Sequence, residues 1–380
     1  MAGTYARFPV EIVRGTGSLI YDTEGREYID MGSGIGVTAF GIADPEWQQA
    51  VTAQLARVQH TSNLYYTEPC TRLAEMLCRR TGFSKVFFSN SGAEANECAI
   101  KVARKYAAEK KGAEYSTVIT LKNSFHGRTL TTLSATGQEH YHELFQPLTP
   151  GFVHVQPGDI EDLKAALSAH RVAAILVECI QGEGGVNVMD ADYIRAAAQL
   201  AAESDVLFMV DEVQTGNGRT GELYAYMHYG VSPDVVTTAK GLGGGLPIGA
   251  TLLSERVQNV LGFGDHGSTY GGNPICCAGA CSIISRLDEE MLASVRRKGE
   301  LLINTFRGAR GVRSVSGMGL MIGIETERPA AEVVRACIAR GVLCLTAKNK
   351  VRLLPALNIP EELLCRAARE ILAECAAVTQ

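Results

Sequence analysis

The sequence predicts an α/β protein: a large domain built on a mostly parallel seven-stranded sheet between helices, and a smaller α+β domain made from both ends of the chain. Three observations lead there. Seven short apolar runs recur through the middle of the chain, each stopping at polar or glycine residues, and their length and lack of alternation suit strands buried on both faces. Helix-like segments separate several of them, and alternation of strand and helix implies parallel pairing. On either side of this region the pattern changes to shorter strands, turns and amphipathic helices.

In chain order, residues 1–60 read as the first part of the small domain and 61–273 as the large domain. The seven runs are Val86 to Phe88, Val118 to Leu121, Val153 to Val155, Ala173 to Val177, Val206 to Val210, Val235 to Thr238 and Ile248 to Leu253. After the first comes a helix over Ala93 to Lys110, with Ala95, Ala99, Val102, Ala103 and Tyr106 on one face. Ala191 to Glu203 forms another. Residues 274–380 return to the small domain and include an amphipathic helix over Pro329 to Arg340. No internal repeat and no Pro/Gly/Ser linker marks the joins, so the boundaries rest on pattern.

A chain of 380 residues, 46% hydrophobic and 20% charged, can bury a large core and has no tract of disordered composition. The net charge of −5 and the lack of a basic run exclude a nucleic-acid binder. The 11 cysteines are scattered with no C-x-x-C pair, so most serve as small apolar core residues. No apolar stretch approaches the ~18 residues that span a bilayer, and Met1 to Arg7 lacks a signal core. With the free thiols, this points to the cytoplasm and to no membrane partner. His140-Tyr141-His142 has no third ligand near it, so it reads as a solvated loop and no metal is expected.

In open α/β sheets ligands sit beyond the carboxyl ends of the strands. Five runs place polar residues there: Ser89 to Glu94, Ser124 to Arg128, Glu178 with Gln181 to Gly185, Asp211 to Gln214, and Lys240 to Gly245. Ser91-Gly92-Ala93 falls where a strand turns into a helix, so free N–H groups and the positive helix end suit an anion; alone, the same residues also suit an ordinary serine cap. Asp211 and Lys240 each follow an apolar run and lie about one strand-helix-strand unit (~30 residues) apart, which allows neighbouring strands to bring them together. A buried ion pair is the alternative. Five glycines near Lys240 let the backbone approach a flat ligand closely.

A phosphate cradle, a carboxylate and an amine are what pyridoxal 5′-phosphate (PLP) requires: an anchor, an acid for the ring nitrogen and a lysine for the aldehyde. Phe125 offers a flat face to the ring, though it also suits the core, and Gln214 can reach the phenolic oxygen. Gly34 to Ala39 fits a degenerate G-x-G-x-x-A pattern, but Gly41 and Pro45 follow too soon for a phosphate-binding helix, which leaves a nucleotide-dependent oxidoreductase as a remote alternative. Walker, nucleophile-elbow and zincin motifs are absent.

These residues resemble the fold-type I, class III aminotransferases, and within them the acetylornithine aminotransferases. The likeness rests on His60 to Tyr66, Phe88 to Lys101, Phe125 to Thr129, Val210 to Gly216, Ser232 to Gly249 and His266 to Pro274. By that resemblance Lys240 holds PLP covalently and shuttles the proton, and Asp211 pairs with the ring nitrogen. Ser91, Gly92 and Ala93 bind the phosphate, Phe125 stacks, and His126, Val213 and Gln214 complete the cofactor pocket. Thr269 reaches the phosphate of a partner subunit, making a homodimer with sites shared across the interface.

Arg128 and Arg352 match the arginines that hold substrate carboxylates, with Ser268 near the substrate. Glu183 matches the glutamate that masks the second arginine for an ω-amine and moves aside for 2-oxoglutarate; a permanent ion pair is the alternative. The resemblance implies transfer of the δ-amino group between N-acetylornithine and 2-oxoglutarate, giving N-acetylglutamate 5-semialdehyde and glutamate, within arginine biosynthesis. Acetyl-lysine, succinylornithine, ornithine and 4-aminobutyrate are the alternative amines. Leu19 and Ile35 align with tyrosines of ornithine aminotransferases, which disfavours free ornithine. Two departures stand out: Gly41 to Pro45 lacks the family's histidine, and Cys179 replaces a proline.

Overall fold

The computed structural model describes residues 1–377. Each of the seven apolar runs is a strand, and they form one sheet in the order Lys85–Ser89, Gly249–Leu253, Val235–Thr238, Leu207–Asp211, Val172–Val177, Thr117–Leu121, Phe152–Val155. Gly249–Leu253 runs antiparallel to both neighbours. All other pairings are parallel.

Val172–Val177 and Leu207–Asp211 are buried at every residue, as strands covered on both faces must be. Alternation sends neighbouring side chains to opposite sides. Leu176, Leu207 and Met209 join one apolar cluster, whereas Ile175, Val177, Phe208 and Val210 join the other. Fully burying a side chain of this size contributes about 1.5–3 kcal/mol.

Helix Gly92–Lys111 covers the first of these faces with Ala99, Val102, Ala103 and Tyr106, and it also buries Ala95 and the polar Asn96. Ser91 starts the helix, its Oγ accepting from the Glu94 N–H at 3.2 Å. Lys110 and Lys111 sit in its last turn, where the helix dipole favours cations.

Both ends of the chain meet in one small sheet: Ile12–Thr16, Leu19–Asp22 and Glu27–Asp30 pair in sequence, and Val342–Leu343 adds parallel to the last. A second sheet holds Val312–Met318, Met321–Thr326, Lys350–Leu353 and Leu345–Ala347, all antiparallel. Helix Pro274–Ser285 packs against Pro45–Leu55 and Glu68–Thr81. At the altered Gly41 to Pro45 stretch, Ile42 exchanges backbone hydrogen bonds with Gly17, and Asp44 caps Pro45–Leu55 while pairing with Arg286. The departure from the family pattern is thus absorbed by local packing.

Candidate active site

A cavity of about 440 Å³ opens where the central strands end, and each of the five post-strand segments contributes to its lining. The element that supplies Lys240 follows strand Val235–Thr238 directly. Lys240 has a φ of 43°, in the left-handed region that non-glycine residues seldom adopt. Part of its surface opens onto the cavity, and among the described residues no group hydrogen-bonds its amine. Burial lowers the amine below the usual lysine range, against the opposing pull of Asp211 and Glu183.

Asp211 ends its strand with the carboxylate fixed by three donors. His126 Nδ1 and Asn96 Nδ2 donate to Oδ2 at 2.8 and 2.7 Å, and the Val213 N–H donates to Oδ1 at 2.9 Å. Asn96 is held in turn, because the Thr237 hydroxyl donates to its Oδ1 at 2.7 Å and its own Nδ2 reaches the His126 carbonyl at 2.8 Å. Sequence reasoning misses Asn96 and Thr237. The available signal was a polar side chain set within an apolar helical face.

Gly92 lies so close to the Asp211 loop that a Cβ would stand 2.6 Å from Val213 Cγ1. Ser91, Gly92 and Ala93 line the cavity at the helix start, where backbone N–H groups lack intrahelical partners. Phe125 lines it too, and its N–H donates to Glu178 Oε2 at 3.0 Å. Burial, then the charge of Asp211, pushes Glu178 well above the usual carboxylate range.

Arg352, on strand Lys350–Leu353, is 2% exposed. Its Nη1 donates to Glu183 Oε1 at 2.6 Å and to Gln214 Oε1 at 3.0 Å, while Gln214 Nε2 donates to Glu183 Oε1 at 3.2 Å. Burial alone would raise Glu183; the charge and hydrogen bond of Arg352 outweigh it and hold the carboxyl below its usual value. Gln214 engages both ends of its amide here, and the second N–H of its Nε2 stays available to a phenolic oxygen.

Arg128 lines the cavity, is exposed, and has no carboxylate partner among the described residues. Around His140 to His142, expected as a solvated loop, a short 3-10 turn, Glu139–Tyr141, buries no residue fully and leaves His140 exposed, while Tyr141 is half-buried with its ring centroid 6.0 Å from that of Phe125. The loop is held down because its aromatic and imidazole side chains find partners, His142 Nε2 bonding the Leu133 carbonyl at 2.8 Å. Among the described residues no three His, Cys, Asp or Glu side chains are grouped to hold a metal.

Other expected residues lie apart. Ser268 Oγ accepts from Asn90 Nδ2 at 3.1 Å, beside the rim but outside the lining. Thr269 is exposed and faces a different hollow, shared with His60 to Thr71. Leu19 is half-buried in its strand and Ile35 is 40% exposed, and neither lines the cavity. Gly34 to Ala39 forms only the four-residue turn Ser33–Gly36, with Val37 reaching the cavity.

The lining fits PLP: an amine without a protein partner, a carboxylate oriented by three donors, a helix start for the phosphate and an aromatic face. Fold and cavity together define a PLP-dependent transferase. The chain belongs to the class III aminotransferase family, whose model matches residues 1–375. It is 50% identical over 368 residues to the acetylornithine aminotransferase of Haemophilus ducreyi, covering 96% of this chain and 94% of that protein. Among solved structures, the N-acetylornithine aminotransferase of Stenotrophomonas maltophilia superposes with a TM-score of 0.85 at 34% identity, covering 98% of this chain and 97% of that one. The ornithine aminotransferase of Toxoplasma gondii gives 0.94 at 34% identity, covering 98% and 92%.

Proposed function

We propose that the enzyme transfers the δ-amino group between N-acetylornithine and 2-oxoglutarate, yielding N-acetylglutamate 5-semialdehyde and glutamate, in the service of arginine biosynthesis. The observation that carries this reading is the contrast between Arg128, which lines the cavity, and Arg352, which lies buried outside the lining behind Gln214, itself a lining residue. Arg128 stands open, while Arg352 is covered by Glu183 and Gln214. An open guanidinium suits the carboxylate far from the reacting carbon, which both substrates possess. A covered one suits an amine substrate with no charge beside its reacting carbon, and 2-oxoglutarate would displace Glu183 to place its keto-acid carboxylate there. The similarity to acetylornithine aminotransferases supports the same choice.

PLP, when bound, supplies the electron sink and carries the amino group from donor to acceptor. In this reading Lys240 holds the cofactor and moves the proton at the substrate carbon. Asp211, oriented by His126 and Asn96, holds a proton at the ring nitrogen. Ser91, Gly92 and Ala93 bind the phosphate, Phe125 lies against the ring and Val213 supports it.

The proposal extends to a homodimer. Thr269 faces away from its own cavity beside exposed Leu64, Tyr65, Tyr66 and Tyr270, a patch suited to a second copy that would receive Thr269 and Ser268. It also divides the chain into 1–60 with 274–380 as the small domain and 61–273 as the large one, supported by the pairing of Glu27–Asp30 with Val342–Leu343. All 11 cysteines are free, which supports a reducing cytoplasmic location; no helix among the described residues is long and apolar enough to cross a membrane.

The test is a panel of ω-amines presented to the purified holoenzyme, followed by the change in cofactor absorbance. N-acetylornithine should give the highest kcat/KM. A higher value for acetyl-lysine, succinylornithine, ornithine or 4-aminobutyrate would reassign the substrate.

A further inference from the structure

Arg128 is placed by aromatic rings rather than by charges. Its guanidinium carbon lies 4.0 Å from the Tyr141 ring centroid and 5.5 Å from that of Phe125. A guanidinium lying on an aromatic face keeps its N–H groups pointing outward in its own plane, free for a two-point contact with a carboxylate. A protein carboxylate in the same place would occupy those donors, as Glu183 does for Arg352.

Tyr141 is itself held in place. Its ring meets Phe125 edge-on at 71° and has the His140 ring at 3.9 Å. The Tyr141 N–H donates to the Gln138 carbonyl, and the buried Gln138 amide donates to the Ser124 carbonyl at 3.1 Å, one residue before Phe125. Gly137 adds an N–H to Ser124 Oγ at 3.0 Å. The turn bearing Tyr141 is therefore tied to the loop that bears Phe125 and Arg128.

We infer that Tyr141 is a positioning residue for Arg128, setting the affinity for the substrate carboxylate distant from the reacting carbon; this rests on the proposed role of Arg128. Tyr141 acts through the arginine and has no part in the proton transfers. The same contact serves the α-carboxylate of N-acetylornithine and the γ-carboxylate of 2-oxoglutarate.

The experiment compares Tyr141→Leu and Tyr141→Phe holoenzymes with the parent, using N-acetylornithine and N-acetylputrescine, the same ω-amine chain without its carboxylate. Leucine removes the aromatic face at similar size, and phenylalanine restores it. KM for N-acetylornithine and for 2-oxoglutarate should rise roughly 3- to 20-fold in Tyr141→Leu, from the usual strength of such contacts. Its kcat should stay within about twofold of the parent, and Tyr141→Phe should behave as the parent. The kinetics with N-acetylputrescine should not change. Equal losses on both amines, or no loss on N-acetylornithine, would overturn the inference. Arg128→Ala separates the two levels: if it no longer distinguishes the amines, only the Tyr141 result bears on positioning, whereas if it discriminates as well as the parent, the carboxylate role of Arg128 falls and the inference with it.

Discussion

Lys240 combines a left-handed backbone with an amine depressed by burial, two costs at one residue that packing alone does not require. A non-glycine residue held in this region costs on the order of 1–3 kcal/mol, and such outliers collect at functional sites. Replacing Lys240 by alanine should cut turnover by more than about 10⁴-fold while leaving the fold intact, since the proposed covalent attachment and proton movement would both be lost. Near-normal activity in that variant, measured by coupled glutamate formation, would remove the chemistry proposed here.

Glu212 is a different kind of residue, fully buried and accepting from the Thr215 hydroxyl and the Tyr226 N–H. Burial pushes its carboxyl up to about 7, with those hydrogen bonds only partly opposing. The folded chain therefore keeps a proton that the unfolded chain releases near 4.5. Stability from this group is full below that lower value and is lost as pH rises towards 7, an effect of about 3 kcal/mol. Glu178 is raised in the same direction. Denaturant unfolding between pH 5 and about 7.5 should show this downward slope, and Glu212→Gln should flatten it.

At the scale of elements, helix Gly92–Lys111 does two jobs with one terminus: it covers the sheet and presents its first N–H groups to the cavity. Gly92→Ala should push Val213 aside and weaken cofactor binding by roughly tenfold, an estimate from second-layer disruption. The readout is a titration of the cofactor-free protein with PLP. Unchanged affinity would mean that the contact with Val213 is slack.

The elements of the large sheet were legible because its strands are buried on both faces, so each reads as an unbroken apolar run between polar stops. The helix start at Ser91 and the lysine at 240, which line the cavity, were legible for the same reason, as polar groups placed right after such runs. Asn96, Thr237 and Tyr141 were not. Each acts through a partner distant in sequence: Asn96 on Asp211, Thr237 on Asn96, Tyr141 on Arg128. No spacing rule within one helix or strand encodes a meeting between separate segments. The double engagement of Gln214 was hidden likewise, because strand Lys350–Leu353 comes from the far end of the chain.

At the scale of the whole molecule, the exposed Tyr66 and its neighbours leave an apolar surface that a second copy would cover. On the proposed homodimer, Tyr66→Glu should shift the enzyme towards monomer in sedimentation and lower PLP affinity in parallel, since the proposed contact of Thr269 with the partner's phosphate would be lost. A variant that is monomeric yet binds PLP as tightly as the parent would separate assembly from the site.

The one antiparallel strand of the large sheet, Gly249–Leu253, has an implication for how this molecule is born. Lys85–Ser89 pairs only with it, and Gly249 sits so near Ser91 that a Cβ would come within 2.3 Å of the Ser91 carbonyl oxygen. As the chain leaves the ribosome, the strand that leads into the proposed phosphate cradle must wait for a neighbour about 160 residues downstream, a long loop to close. Vitamin capture therefore belongs to the last stages of maturation, after most of the polypeptide has emerged.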